Sequence, residues 1–113
     1  MPWPLPPNVT QLTATGAAAG SGDNTLIAAP GAGKQIVVSS LILQNESATA
    51  TTMIVKAGST AILRVLGQNQ GDGAALVFPP ERCLLIGANA ALVLNLSGAN
   101  SCGYSVVYYV DAA

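Results

Sequence analysis

From Lys34 to Asn45 the chain reads Lys-Gln-Ile-Val-Val-Ser-Ser-Leu-Ile-Leu-Gln-Asn, twelve residues without Gly or Pro. Apolar and β-branched residues dominate it, and no helical stripe accounts for them. Period-two alternation predicts a long strand. Ile36, Val38, Ser40 and Ile42 fall on one face, and Val37, Ser39, Leu41 and Leu43 on the other. Both faces are mostly apolar, so both are expected to be covered: one by a core, the other by a partner subunit or a second layer.

The rest of the chain is read in the same way. Strands are predicted at Val9–Thr13, Thr25–Ala29, Thr49–Ala57, Thr60–Leu66, Ala74–Phe78, Cys83–Ile86, Ala90–Ser97 and Cys102–Val110. Leu92, Leu94 and Leu96 share a face. So do Tyr104, Val106, Tyr108 and Val110, with Gly103, Ser105, Val107 and Tyr109 opposite. Gly, Pro, Asn and Ser punctuate the intervals, as at Pro30–Gly33, Gly58-Ser59, Gly67–Gly73 and Pro79–Arg82. Ala14–Asp23 is rich in small residues and is read as a loop. Short strands at this spacing predict an all-β fold, an antiparallel β-sandwich with jelly-roll order; an immunoglobulin-like sandwich is the alternative. Connections this short do not allow parallel crossovers.

The beginning of the chain has a different character. Met-Pro-Trp-Pro-Leu-Pro-Pro places four prolines in seven residues. This excludes a helix or central strand and favours extended polyproline II. Residues 1–8 are therefore expected to form an arm, and 9–113 a single sandwich domain. Trp3, the only Trp, offers contact area at small entropic cost. Trp3, Pro4, Leu5 and Pro6 are the candidate partner-binding residues; the alternative is that Trp3 packs on its own domain.

Composition sharpens this picture. The 113 residues are 50% hydrophobic but only 8% charged. An isolated small domain usually carries about a quarter charged residues on its surface, so part of this surface is expected to be buried against other chains. No apolar run approaches the roughly eighteen residues of a membrane helix, and several predicted strands, four to seven residues long, are too short for an outer-membrane barrel. No basic segment precedes an apolar core, so no secretory leader is expected. Lys34, Lys56, Arg64 and Arg82 are scattered, which gives no basic stripe for nucleic acid. Neither a nucleic-acid nor a membrane partner is expected.

Candidate chemistry is sparse. The chain has no His, so the usual general base and zinc ligand are missing. Asp23, Glu46, Asp72, Glu81 and Asp111 fall in or beside predicted turns. Pro30-Gly-Ala-Gly-Lys34 superficially resembles a phosphate-binding loop. However, position 28 is Ala, Gln35 stands where Ser or Thr is required, and a strand rather than a helix follows. Gly67–Gly73 contains one acid, Asp72, too few for a calcium loop. Cys83 and Cys102, with eighteen residues between them, are read as reduced apolar side chains rather than a disulfide. Neither catalytic residues nor a cofactor is expected. Tyr104, Tyr108, Tyr109 and Trp3, with the Gln68–Asp72 loop as the polar half, are the only elements of a possible sugar site.

Four stretches carry a resemblance. They are Asn24-Thr-Leu-Ile-Ala-Ala-Pro-Gly-Ala-Gly-Lys-Gln-Ile-Val-Val-Ser-Ser-Leu, then Lys56-Ala-Gly-Ser-Thr, then Gly87-Ala-Asn-Ala-Ala-Leu-Val-Leu-Asn-Leu-Ser-Gly, and the closing Gly103-Tyr-Ser-Val-Val-Tyr-Tyr-Val. Over roughly residues 24–110 the chain resembles the small all-β virion proteins of tailed bacteriophages, used as head decoration or cement and also attached to tail or fibre components. The resemblance implies a β-sandwich, often a homotrimer, on the capsid surface, tying together subunits of the major capsid protein. A tail-fibre or receptor- and glycan-binding module is the alternative. No catalytic residue is carried over, and the arm lies outside the matched region.

Overall fold

The computed structural model describes residues 9–79 and 83–113. Within them are nine strands: β1 (Leu12–Ala18), β2 (Gly22–Ile27), β3 (Lys34–Asn45), β4 (Thr51–Ala57), β5 (Thr60–Gly67), β6 (Gly73–Val77), β7 (Leu84–Leu85), β8 (Leu92–Leu96) and β9 (Cys102–Ala112). There is no helix among the described residues. The strands form two antiparallel sheets packed as a sandwich. Sheet A has the order β1-β9-β3-β6, with β7 also on β3, and sheet B the order β2-β8-β4-β5.

The pairing follows one rule. β1 pairs with β9, β2 with β8, β3 with β6 and β7, and β4 with β5. That is a ribbon folded back on itself about the β4–β5 hairpin. Gly58 forms the first corner of that hairpin with φ of 61°, a conformation that costs a side chain-bearing residue more. The ribbon then wraps so that β9 lies on β3 and β8 on β4. This order is consistent with a jelly roll.

The long strand is β3 and carries the predicted bounds, but its faces differ from simple alternation. Val38 is opposite Tyr108 while Ser40 is opposite Val107, so Ser39 is an extra residue in the β3–β9 ladder. This bulge reverses the phase of the strand. Before it, Ile36 and Val38 point inward; after it, Leu41, Leu43 and Asn45 do, all of them buried. Ile42, predicted to share a face with Ile36 and Val38, is instead 50% exposed. Ser39 secures the irregularity by donating its hydroxyl to Val107 O at 3.0 Å and accepting Phe78 N at 2.9 Å.

The core takes Met53 and Val55 from β4, Leu92, Leu94 and Leu96 from β8, and Cys102 and Val106 from β9. Tyr104 and Tyr108 pack against its edge. Asn45 is its polar member. The Asn45 amide donates to Thr49 O at 3.0 Å and Gly67 O at 3.1 Å, and its side-chain oxygen accepts Ser47 N at 3.0 Å. The backbone of Asn45 exchanges 2.7 Å bonds with Asp72 and Gly71. One side chain thus secures two loops, and no buried polar side-chain atom among the described residues is left without a partner.

Two boundaries depart from expectation. β1 runs through Ala14–Ala18, read above as loop, because all seven of its residues pair with β9 and the Tyr104 ring covers Gly16. Long-range pairing overrides the weak strand preference of Ala and Gly. β2 starts at Gly22 rather than Thr25 and carries a bulge at Leu26 against β8.

Inserting one residue after Ser39 is expected to abolish folding. A second extra residue would turn Leu41 and Leu43 to solvent, at roughly 2–3 kcal/mol each, against a typical total stability of about 5–15 kcal/mol. Deleting Ser39 leaves Ile36, Val38, Leu41 and Leu43 on one face opposite the same residues of β9, and Ser39→Ala keeps the bulge and loses one side-chain hydrogen bond, about 1 kcal/mol, so both variants should fold. Urea unfolding followed by circular dichroism separates them; an insertion variant as stable as Ser39→Ala would refute the role given to the bulge.

Candidate partner-binding face

The outward faces of the two sheets differ in charge. On sheet B, strand alternation places Asp23 and Thr25 outward from β2, Val93 and Asn95 from β8, Thr52, Ile54 and Lys56 from β4, and Arg64 and Leu66 from β5. Asp23, Asn95 and Lys56 form one cross-strand network. Lys56 Nζ reaches both Asp23 carboxylate oxygens at 3.1 Å, and the Asn95 amide donates to Oδ1 at 2.7 Å. The Asn95 hydrogen bond, followed by that from Lys56, holds the Asp23 carboxyl below its ordinary pKa. Such an arrangement is at home in water. The edge strand β5 is interrupted by a bulge at Ile62 and carries Arg64, both of which discourage uncontrolled edge pairing.

Sheet A presents the reverse. The bulge in β3 brings Val37, Ser40 and Ile42 outward, beside Val107 and Tyr109 of β9, Ala75 and Val77 of β6, and Leu85 of β7. Val77 is 83% exposed and Leu85 58%. Between the ends of this face no described residue is charged. The acids lie at its margins. Glu46 rests over Gly103, where a β-carbon would approach its carboxylate to 2.7 Å, and accepts the Ser101 hydroxyl at 2.8 Å. Asp111 sits near the end of β9. Burial raises the Tyr109 phenol above its ordinary pKa, so it too is neutral at physiological pH. A shallow depression of about 300 Å³ lies at the Ile42 end, lined by Gln44, Gly71, Gly73, Ala74 and Ala75. It likewise contains no ionisable group.

The predicted binding residues Trp3, Pro4, Leu5 and Pro6 lie outside the described residues, as do Pro80, Glu81 and Arg82. Of the apolar face of sheet A the sequence foretold only that Lys34–Asn45 would have both of its faces covered. One signal for it is present in the sequence. Asp23, Lys56 and Arg64 all fall in strands of sheet B, whereas Gln35–Gln44 and Cys102–Val110 contain no charge.

The elements of a sugar site are not brought together. Tyr104 and Tyr108 face the core, and Tyr109 alone faces outward. Tyr109 is level with Val37, while the Gln68–Asp72 loop hangs on Asn45, seven ladder steps or about 23 Å along the strand. Asp72 is engaged within its own loop, accepting Asn69 N at 3.0 Å. Cys83 and Cys102 do not form a disulfide. The Cys102 thiol lies 3.0 Å from the Met53 sulfur, and burial raises its pKa, so it behaves as a core side chain. Among the described residues no group of three or more Cys, Asp or Glu is arranged to hold a metal ion.

The Asp23 network has a pH signature. A carboxyl with a depressed folded-state pKa contributes stability above its unfolded value of about 3.9, and loses that contribution as pH falls through the folded value. The difference in melting temperature between the native chain and Asp23→Asn should be constant above about pH 5 and should shrink in more acid solution. A difference that grows on acidification would contradict the network.

No protein-family model matches the chain, and no curated protein matches it. Among solved structures it is similar to a chain of the cryo-EM structure of the extra small virus virus-like particle of the giant freshwater prawn Macrobrachium rosenbergii. The identity is 13% and the TM-score 0.50, over 100% of this chain and 88% of that one. At this identity the likeness is one of fold. It supports the β-sandwich fold and does not extend to the bacteriophage family suggested by the short motifs.

Proposed function

We propose that this chain is a structural protein of a virus particle: a decoration or cement protein that docks on the head shell as an oligomer, a homotrimer, and stabilises it. The observation that carries this reading is the division of the two outer faces. Sheet B bears the charged network, while sheet A offers an uncharged apolar surface suited to another protein. Burying Val77, Leu85 and Ile42 there is worth roughly 3–5 kcal/mol per subunit. The capsid-like fold and the motif resemblance point the same way. The work assigned to the protein is binding rather than catalysis. A protein that binds only the assembled shell favours that shell by mass action, about 2.7 kcal/mol at a hundred times its dissociation constant.

A second reading, that the chain itself builds a shell, is favoured by the fold likeness to a virus-like particle chain matched over 88% of its length. Light scattering at two concentrations separates the readings. Three copies of 11.3 kDa are expected for the decoration protein, and particles of many tens of copies for the shell former. Val77→Lys and Leu85→Lys should each weaken assembly about tenfold or more, because a lysine at the interface is desolvated without a partner. They should also abolish the rise in melting temperature of shells to which the native protein is added. A folded monomer at high concentration, with shell stability unaltered by its addition, would overturn both readings.

A further inference from the structure

We infer that the two edges of sheet A join copies of this chain head to tail. β1 of one copy pairs antiparallel with β6 of the next, with Thr13 opposite Val77, Thr15 opposite Ala75 and Ala17 opposite Gly73. This rests on the reading of the chain as a self-assembling particle protein and names the contact between copies.

The ladders show which backbone groups are open. Hydrogen-bonded and non-bonded pairs alternate along an antiparallel ladder. At the two ends of the β3–β6 ladder, Phe78 N donates to Ser39 O at 2.9 Å and Asn45 N to Asp72 O at 2.7 Å. Ala74 and Leu76 are therefore bonded to β3, and Gly73, Ala75 and Val77 turn their N–H and C=O groups to the open side. Glu46 N donates to Ser101 O at 3.0 Å, so Gly103, Ser105 and Val107 bond to β3, and Cys102, Tyr104, Val106 and Tyr108 bond to β1. Their partners are Ala18, Gly16, Ala14 and Leu12. Thr13, Thr15 and Ala17 are left with their backbone groups directed away from the sheet. All six of these edge residues are exposed.

The edges of sheet B are defended and those of sheet A are not. β2 carries Asp23 and a bulge at Leu26, and β5 carries Arg64 and a bulge at Ile62. Such devices stop a strand from adding. β1 and β6 pair regularly with their inner neighbours and contain no charge and no Pro.

The two open edges fit each other. β1, β9, β3 and β6 alternate in direction, so β1 of one copy and β6 of a neighbour in the same orientation are antiparallel. Each edge presents three residues at a spacing of two, and each such pair exchanges two hydrogen bonds. On the outer face this register sets Thr13 beside Val77, which is 83% exposed, a β-branched cross-strand pair. On the inner face it sets Leu12, 41% exposed, beside Phe78, and Gly16 beside Ala74. Pairing β1 with β1 about a twofold axis would leave β6 open; the head-to-tail contact covers both edges at once. Being heterologous, it builds a closed ring such as the homotrimer or a larger shell.

Disulfide capture tests the register. Within one chain Thr15 and Ala75 lie three strand spacings apart, about 14 Å, beyond the reach of a disulfide. A mixture of Thr15→Cys and Ala75→Cys chains should therefore give covalently linked pairs under mild oxidation. Each variant alone should link no more than the native chain, which reports Cys83 and Cys102. Thr15→Pro removes an N–H that faces away from β9, so its circular dichroism should remain that of the native fold, while self-association measured by light scattering should weaken about tenfold, one hydrogen bond. Native-strength oligomers in Thr15→Pro, with no linked pairs from the mixture, would overturn this inference and leave self-assembly standing. Linkage in Thr15→Cys alone would set β1 against β1 and overturn the head-to-tail order. A native chain that stays monomeric at high concentration would overturn the contact and the assembly reading together.

Discussion

The pairing of β3 with β9 is the constraint on which the other contacts depend. These are the two longest strands, they lie side by side in sheet A, and between them they supply core residues along the whole sandwich. One extra residue in that ladder determines which side of β3 is inside. With Ser39 bulged, four large aliphatic side chains of β3 reach the core and Ile42 is turned to the surface. The bulge is a built feature: its hydroxyl and carbonyl are both engaged, one toward β9 and one toward the segment after β6. The same residue thereby shapes both the core and the outer surface.

The electrostatic economy of the molecule follows from that surface. With so few charged residues, placement matters more than number. The chain concentrates Asp23, Lys56 and Arg64 on sheet B and leaves the centre of sheet A uncharged. A desolvated charge is expensive without a partner, so a face without charges is the one that another protein can cover at least cost. A face with a paired, hydrated network is better left in water. This asymmetry makes the assembly reading specific to one surface rather than to a generally apolar chain.

Asn45 shows how the loops at one end are tied to this frame. It closes β3, occupies a fully buried position, and satisfies the carbonyls of two loops whose sequences have little apolar content of their own. The buried amide fixes where β3 ends and where β6 begins. In doing so it keeps Gly71 and Gly73 at the rim of the outer face.

By itself the sequence determined the all-β sandwich class. Period-two alternation and turn residues marked eight of the nine strands and only Leu12 and Thr13 of β1, and Lys34–Asn45 was legible to the residue because neither Gly nor Pro interrupts it. The leucine face of β8 and the inward residues of β9 were equally plain, since those strands are regular. Tertiary structure decided three things. It made a strand of Ala14–Ala18, where small side chains carry no signal and pairing with β9 provides the stability. It placed the bulge at Ser39, because two adjacent serines fit either phase and only the ladder with β9 chooses between them. And it gathered Ile42, Val77, Leu85 and Tyr109 from four strands onto one face, a proximity set by long-range pairing that no local pattern encodes.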